Sequence, residues 1–377
     1  MDADFLLVIA VFESLFLLFL VLTKKHKKQS DWLLGTILFI NALTIFLSWM
    51  EMYNRKNAYP FPFFINSSTP FILLHGPALW LYVKSLTSEK FSLKPKYLIH
   101  ALPFLMLFTF LSLAYYSLAP EDKILSDSQQ LFQQRLSYPI TILAILVFTQ
   151  YYIISSLLHI KRYRKKAKTV FSSMDNFNLK WLRFVLFSAM IFYATISATY
   201  ILDYFLSIFP YKILQLIGFT IASIYILVLG FQGLKQGNIF SSHNLENIPS
   251  VAPIKQKKPL LKKEEIFVTS LLQYMNDQEP FLNPDLTLST LAKELSVTPE
   301  YLSDILNGHL KSSFFDFINQ FRVEKFKALC KTNKQETLTL IAIAYECGFN
   351  SKATFNRVFK KRTGITPGEY SRQVSES

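Results

Sequence analysis

Seven apolar stretches, separated by short polar segments, fill the chain before residue 235. They are 5–22, 32–50, 69–86, 97–118, 136–158, 182–208 and 213–234. A helix of about 20 apolar residues crosses the roughly 30 Å hydrocarbon core of a bilayer. The pattern therefore predicts a bundle of seven transmembrane helices within residues 1–235, with the lipid bilayer as its surroundings.

The pattern changes after this region. Residues 236–263 contain three prolines and five lysines without apolar periodicity, which is typical of a flexible basic linker. The lysines are either solvated or rest on lipid headgroups. Residues 264–377 return to helical spacing in short segments separated by Gly, Pro, Ser and Thr. The chain is predicted to be all-α, with two domains joined by the linker.

The last of these segments has the pattern of a helix, a tight turn and a second helix. Apolar positions at helical spacing run from 339 to 347, and Gly348 interrupts them. Ser351 provides an N-cap hydroxyl for the next helix, whose apolar side consists of Phe355, Val358 and Phe359. The pattern predicts a helix-turn-helix unit at about 339–362.

The other side of that second helix is basic and carries an amide. The predicted DNA-facing residues are Lys352, Ala353, Thr354, Asn356, Arg357, Lys360 and Lys361. Arg and Asn side chains make bidentate contacts to guanine and adenine edges in the major groove. The alternative interpretation is an ordinary helical hairpin with a solvated basic face.

A second copy of the pattern lies upstream, at about 287–307, and an amphipathic stretch at 314–330 follows it as a predicted connecting helix. Ser296 occupies the turn, where Gly is frequent. The outward side of its second helix is predicted to be polar and acidic: Glu300, Tyr301, Ser303, Asp304 and Asn307.

These motifs resemble the signature of the AraC/XylS-type transcription regulators. The resemblance is carried by 344–351 (AYECGFNS), Phe355, 359–360, 364–367 and Tyr370, and it extends back to about Phe281. It implies two helix-turn-helix units on one long helix that enter successive major grooves of double-stranded DNA. Because one chain then reaches two grooves, dimerisation is not required, and the sequence leaves open whether a homodimer forms.

The net charge of +14 is mostly a property of the apolar region, since residues 1–261 carry +13 of it. The loops after the first, third and fifth apolar stretches hold sixteen basic residues when Lys84 and Arg183 at the edges of the stretches are counted, whereas the alternating loops hold five. The positive-inside rule therefore predicts an external N-terminus and a cytoplasmic C-terminus. We expect a multi-pass protein of the bacterial inner membrane with its helix-turn-helix region in the compartment that holds DNA.

Charge is also uneven within the C-terminal domain. Residues 350–372 hold six basic residues and one acidic residue, whereas residues 262–349 hold nine basic and twelve acidic residues. Cationic side chains bind DNA phosphates, and carboxylates near phosphates are repelled. The second helix-turn-helix unit is therefore predicted to supply most of the affinity and the first some discrimination between sequences.

Ionisable residues inside the apolar stretches are candidates for a sensory role. Glu13 lies midway along the first stretch, Asp203 lies in the sixth, and His75 lies in the third beside Gly76-Pro77. Such groups are costly in a bilayer, which makes each one a candidate for ligand, proton or gating chemistry. The alternative is helix packing, with interhelical hydrogen bonding for His75.

No HExxH, GxSxG, GxGxxG or P-loop motif occurs, and the two cysteines form no CxxC pair. The sequence predicts no enzyme activity, catalytic residue, metal or cofactor. It predicts a membrane-bound, one-component sensor that regulates transcription in response to an unknown small-molecule or membrane signal. The alternative is a receptor or transporter whose cytoplasmic helical tail binds a protein partner.

Overall fold

A computed structural model describes residues 3–88, 91–131, 134, 137–175, 179–206, 211–236, 262–332 and 338–375. These residues are helical and contain no β-sheet, only one isolated antiparallel bridge between Phe171 and Thr287, which confirms the all-α prediction. The chain divides into two compact units. The first comprises Met1–Lys161 and Leu179–Ser241, and the second comprises Arg162–Asn178 and Ser242–Ser377. The predicted linker lies almost wholly outside the described residues.

Each predicted apolar stretch is mostly helical in the first unit. The helices are α1 (Ala3–Leu22), α2 (Gln29–Lys56), α3 (Ile72–Thr87), α4 (Leu102–Leu111), α5 (Pro120–Ser128), α6 (Ser137–Ala167), α7 (Lys180–Leu206) and α8 (Tyr211–Gln236), the last turn of α6 belonging to the second unit. Among the described residues, four stretches have the length and apolar composition to cross a membrane: Gln29–Lys56, Pro95–Tyr116, Tyr138–Ala167 and Lys180–Ala198. Seven membrane crossings therefore stay a prediction.

Two features of this unit differ from the sequence prediction. The fourth apolar stretch is not one α-helix, because α4 is flanked by a 3-10 turn (Pro95–Ala101) and a π-turn (Ser112–Tyr116). The short helix α5 was not predicted. Its signals were present, since Pro120 occupies its first position and two acidic residues follow in the first turn. Because α5 is polar, the pattern of apolar stretches does not predict it.

Helix α8 approaches α1 and α2 closely at two glycines. A Cβ atom at Gly230 would lie 2.5 Å from Leu17 Cδ1, and one at Gly233 would lie 2.6 Å from Leu34 Cδ2. Small residues spaced in this way let helix backbones pack together where the hydrophobic effect gives little driving force.

The second unit contains the predicted helix-turn-helix elements at the predicted places. Its helices are α9 (Lys262–Asp277), α10 (Leu288–Glu294), α11 (Pro299–Asp304), α12 (Phe314–Lys331), α13 (Leu340–Glu346), α14 (Lys352–Thr363) and α15 (Pro367–Ser375). Five of them begin at a Ser or Thr whose hydroxyl accepts a hydrogen bond from the backbone N–H three residues later: Thr287, Thr298, Ser313, Thr339 and Ser351. These caps explain why the boundaries were readable from the sequence.

Helix α12 is shared by two hydrophobic cores. Its first half packs Phe317 and Ile318 into a core formed with α9, α10 and α11. Its second half packs Phe326 against α14, with ring centroids 4.7 Å from Phe355 and 5.4 Å from Phe359. The connecting helix therefore holds both helix-turn-helix units through burial of its own side chains.

Arg322, midway along α12, is buried and is bonded to three backbone carbonyls. Its Nε donates to Phe281 O at 2.8 Å, its Nη2 to Asn283 O at 2.8 Å, and its Nη1 to Ser172 O at 3.3 Å. Burial lowers the pKa of Arg322 to about 10, so the guanidinium keeps its charge at neutral pH. One side chain thus joins α12, the turn before α10 and the segment that follows α6.

The two turns of the helix-turn-helix units both require a left-handed residue. Gly348 has φ +88, and a Cβ there would collide with the carbonyl oxygen of Phe281. Ser296, in the equivalent turn of the first unit, has φ +57. The departure from Gly at 296 therefore leaves the turn geometry intact but places a non-glycine residue in a conformation that costs about 1 kcal/mol.

Replacing Arg322 with Met is expected to destabilise the second unit by about 3–5 kcal/mol, because buried carbonyls lose their donors. The measurement is hydrogen exchange of the α12 and α14 amides in the full-length protein in detergent. Lys327→Met, on the same helix in an exposed ion pair with Glu324, is the control and should change little. Equal protection in both variants would contradict the role given to Arg322.

Candidate nucleic-acid interface

Helix α14 has one buried side and one exposed side, as the sequence predicts. Ser351 caps it, and Phe355, Val358 and Phe359 are buried beneath it. Six of the seven predicted DNA-facing residues are exposed: Lys352, Ala353, Asn356, Arg357, Lys360 and Lys361. Among the described residues, no hydrogen bond or ion pair engages the side chains of Arg357, Asn356 or Lys360. These groups are available to an external ligand.

The exposed side of α14 lines a concave groove of about 810 Å³. The start of α13 at Thr339 and the start of α15 at Pro367-Gly368 also line it. Helix N-termini present backbone N–H groups that bind phosphate. Sequence reasoning assigned these helix starts no role in binding, although the Thr-capped starts were a usable signal.

Two basic residues at the far end of α14 are tied to α12. The Nζ of Lys361 lies 3.2 Å from Asp316 Oδ1, and Arg362 donates to the Asp316 carbonyl. Burial raises the pKa of the Asp316 carboxyl, but the Ser313 hydroxyl and the Lys361 ammonium together lower it by more. The pKa of Asp316 therefore lies below its usual value. Lys361 therefore contributes to packing as well as to the charge of the groove.

Thr354 is the exception on α14, because it is buried rather than facing the groove. Its hydroxyl donates to Asp175 Oδ1 at 2.7 Å, and the Ser351 hydroxyl donates to the same oxygen at 2.8 Å. The carboxylate thus lies at the N-terminus of α14, where the helix dipole favours a negative charge. No sequence pattern predicts this contact, since the two partners are 179 residues apart.

Asp175 belongs to the segment 162–175, which is hydrogen-bonded into the second unit. Leu288 N donates to Val170 O at 2.9 Å, and Phe315 N donates to Lys168 O at 3.0 Å. The Asn319 amide donates to Ser172 O at 3.0 Å. The sequence analysis placed this segment in the domain 1–235 as a loop between two apolar stretches. In the structure it is part of the folded helix-turn-helix unit.

The first helix-turn-helix unit exposes fewer of its predicted residues. Glu300 and Asp304 are exposed, whereas Tyr301 packs edge-on against Phe267 with ring centroids 5.0 Å apart. Ser303 was predicted to face outward but is buried. The reason is local: α11 ends at Asp304 in a π-turn, and the Asn307 amide folds back to donate to Ser303 O at 2.9 Å and Oγ at 3.1 Å.

The predicted sensory residues lie in the first unit and are not equivalent. Glu13 accepts a hydrogen bond from the Ser223 hydroxyl at 2.7 Å, which links α1 to α8. His75 contacts Thr44 and Tyr193 and links α3 to α2 and α7. Asp203 lies in α7, and its side chain is outside the described part of the chain. For His75 the interhelical bonding offered as the alternative is present.

Residues 291–373 match the protein family described as "Helix-turn-helix domain". Over 94 residues the chain is 31% identical to the uncharacterized HTH-type transcriptional regulator YpdC of Escherichia coli, covering 25% of this chain and 32% of that protein. It is 28% identical to the HTH-type transcriptional regulator GlxA of Rhizobium meliloti, covering 28% and 31%. It is 27% identical to CdhR, an HTH-type transcriptional regulator of Pseudomonas aeruginosa, covering 26% and 29%.

The chain thus spans about a third of the length of these relatives, and the family match covers the end that carries the groove. The C-terminal part of this chain is similar to helix-turn-helix domains found in transcription regulators.

Proposed function

We propose that the protein is a membrane-bound, sequence-specific DNA-binding transcription regulator of the AraC type. The observation that carries this proposal is the exposed side of α14, where Arg357, Asn356 and Lys360 line a groove on a helix-turn-helix domain. Arg and Asn have the hydrogen-bonding geometry for base edges, and Lys has the charge for phosphates. The ligand of this groove is double-stranded DNA in its major groove.

The proposed location is the bacterial inner membrane, with the N-terminus outside and the helix-turn-helix domain in the cytoplasm. Four described helices with the length and composition of membrane spans support it, together with the basic loops after the first, third and fifth apolar stretches.

The membrane signal reaches the DNA-binding domain through the segment 162–175. This segment connects α6 to α7, each of which contains a candidate membrane span. The same segment is bonded to the start of α10, to α12 and to the start of α14. A displacement of α6 or α7 therefore acts directly on the domain that reads DNA, without a separate messenger.

Asp175 links the position of this segment to the charge at the start of α14. Its carboxylate holds the hydroxyls of Ser351 and Thr354 at the start of α14, beside Lys352 in the groove. A negative charge there repels the phosphates that a helix N-terminus otherwise attracts. In the docked arrangement the segment lowers DNA affinity, and its withdrawal raises it.

Full-length protein in nanodiscs is expected to bind a duplex selected from random sequences, with an affinity that falls steeply with salt. Arg357→Ala should cost about 1–3 kcal/mol and relax specificity at one base pair, because a bidentate base contact is lost. Lys360→Ala should weaken all sequences alike and reduce the salt slope by about one. Fluorescence anisotropy at several salt concentrations measures both effects.

Two comparisons complete that experiment. Lys331→Ala, an exposed residue of α12 outside the groove, should leave binding unchanged. Glu300→Ala should leave affinity for random DNA equal or higher, because a repulsive charge is lost. A protein that binds no duplex at low salt would instead support a tail that recognises a protein partner.

Asp175→Asn is expected to tighten DNA binding about fivefold or more, the lower end of typical coupling between sites. The neutral amide keeps the size of the side chain but removes the charge beside the phosphates. Asp277→Asn, the same change at the exposed end of α9, is the matched control. Unchanged or weaker binding by Asp175→Asn, with α14 still protected from hydrogen exchange, would show that the carboxylate does not restrain DNA binding.

The proposed topology predicts which fusions of a reporter active only outside the cytoplasm will work. Fusions after Tyr53 or Glu121 should be active, because those loops carry few basic residues. Fusions after Lys28, Lys166 or Gly237 should be inactive. An active fusion at Gly237 would place the helix-turn-helix domain away from DNA and refute the proposed function.

A further inference from the structure

The first unit contains a cavity of about 330 Å³ lined by α2, α3, α4 with the turn after it, α6, α7 and α8. This volume is at the lower end of the roughly 300–1,000 Å³ typical of small-molecule sites. Residues that line it include one carboxylate, Glu51, and two basic side chains, Arg55 and His75, with aromatic rings along the remaining wall. The hydrogen bonds that these side chains already make within the protein decide which groups a ligand can bond to.

His75 is held in one tautomer by its two neighbours. The Thr44 hydroxyl donates its only hydrogen to Ile40 O at 2.7 Å, so it can only accept from His75 Nε2 at 3.0 Å. Nε2 therefore carries the proton, and Nδ1 accepts from the Tyr193 hydroxyl at 2.8 Å. The phenol hydrogen of Tyr193 is thus used, and its oxygen keeps only acceptor capacity toward the cavity.

Three other polar side chains of the lining also donate a hydrogen bond within the protein. The Ser48 hydroxyl donates to Thr44 O at 3.0 Å, and the Asn41 amide donates to Ile37 O at 2.8 Å. The Ser68 hydroxyl donates to Glu51 Oε1 at 2.8 Å. Each bond uses a donor and leaves oxygen acceptors behind. These side chains therefore offer acceptor oxygens, which a ligand satisfies by donating hydrogen bonds.

The charges lead to the same conclusion. Arg55 forms a two-bond ion pair with Asp127, at 2.8 Å from Nε and 2.8 Å from Nη2, and Asp127 is buried. Glu51 accepts from Ser68 N and Oγ through one oxygen, Oε1. Among the described residues, no cationic nitrogen lies within ion-pair distance of Glu51. Arg55 is held by Asp127, so Glu51 has no hydrogen-bonded cation of its own, and its second oxygen, Oε2, is bonded to no described residue. A buried carboxylate is stabilised by a cation.

The rest of the lining suits an apolar body. Its aromatic members include Phe110, Tyr115, Phe192, Tyr193 and Tyr225, and Ile45, Ile72 and Ile145 also line the cavity. Aromatic faces attract a cation as well as apolar groups, by about 0.5–2 kcal/mol for the cation. An ammonium group that meets Glu51 can therefore lie against rings on its other sides.

We propose that this cavity binds a small primary amine: an ammonium head on a single apolar or aromatic body. Glu51 is the counter-ion, Tyr193 and Asn41 offer further acceptor oxygens, and the aromatic wall holds the body. Glu13, the acidic residue that the sequence singled out, does not line the cavity. The proposal rests on the proposed function only in making this amine the signal; the binding itself requires no DNA.

The test is isothermal titration calorimetry on full-length protein in nanodiscs, with three probes that share one body and differ in the head. Phenethylamine is cationic, 2-phenylethanol is neutral and phenylacetate is anionic. We expect phenethylamine to bind, 2-phenylethanol to bind at least about tenfold more weakly, and phenylacetate not to bind, because a charge-assisted bond to Glu51 is available only to the amine.

Glu51→Gln should weaken phenethylamine at least about tenfold, while Glu121→Gln, an exposed carboxylate on α5, should change nothing. Ala222→Leu narrows the cavity without changing its polar groups and should weaken all binding. It provides an independent test of the site in case Glu51→Gln does not fold. Binding of phenylacetate as tight as that of phenethylamine, equal amine binding by Glu51→Gln, or no amine binding by folded wild-type protein would each overturn the proposal. Failure of DNA binding alone would overturn the proposed function and leave this site intact.

Discussion

The second unit depends on a single buried charge, the guanidinium of Arg322. Its donors reach the carbonyls of Phe281 and Asn283, in the turn before α10, and of Ser172, more than 100 residues earlier in the chain. A buried Arg is tolerated because several acceptors surround it, and the loss of any partner leaves a costly unpaired group. Because Ser172 lies in the segment between α6 and α7, the same residue that stabilises the helix-turn-helix core also fixes that segment to it.

That attachment changes how the domains of this protein should be understood. A chain with apolar helices followed by a linker and a DNA-binding domain suggests coupling through the linker alone. Here the segment 162–175 adds backbone hydrogen bonds to α10 and α12 and a carboxylate at α14. The signal path proposed above therefore uses a segment whose position on the helix-turn-helix unit is set by several hydrogen bonds.

The cavity of the first unit illustrates how hydrogen-bond accounting narrows the choice of ligand. Thr44 commits its hydrogen to a helix carbonyl, and this choice sets the tautomer of His75 and then the role of Tyr193. Buried donors and acceptors are paired in folded proteins, so the unpaired kind that remains defines what a ligand must bring. The Tyr193 oxygen and the second carboxylate oxygen of Glu51 are acceptors of this kind, and an ammonium group matches both.

The sequence by itself determined the local structure: the apolar stretches, the capped helices and the exposed side of α14. These follow from residues a few positions apart, as when Ser351 caps the helix and Gly348 permits its turn. Tertiary structure alone decided that Thr354 is covered by Asp175 and that Glu51 rather than Glu13 faces a cavity. Hydrogen bonds and burial between residues 100 or more positions apart leave no periodic trace in a single sequence, because either partner is compatible with many surroundings. The fold supplies the second partner, and with it the chemistry of the site.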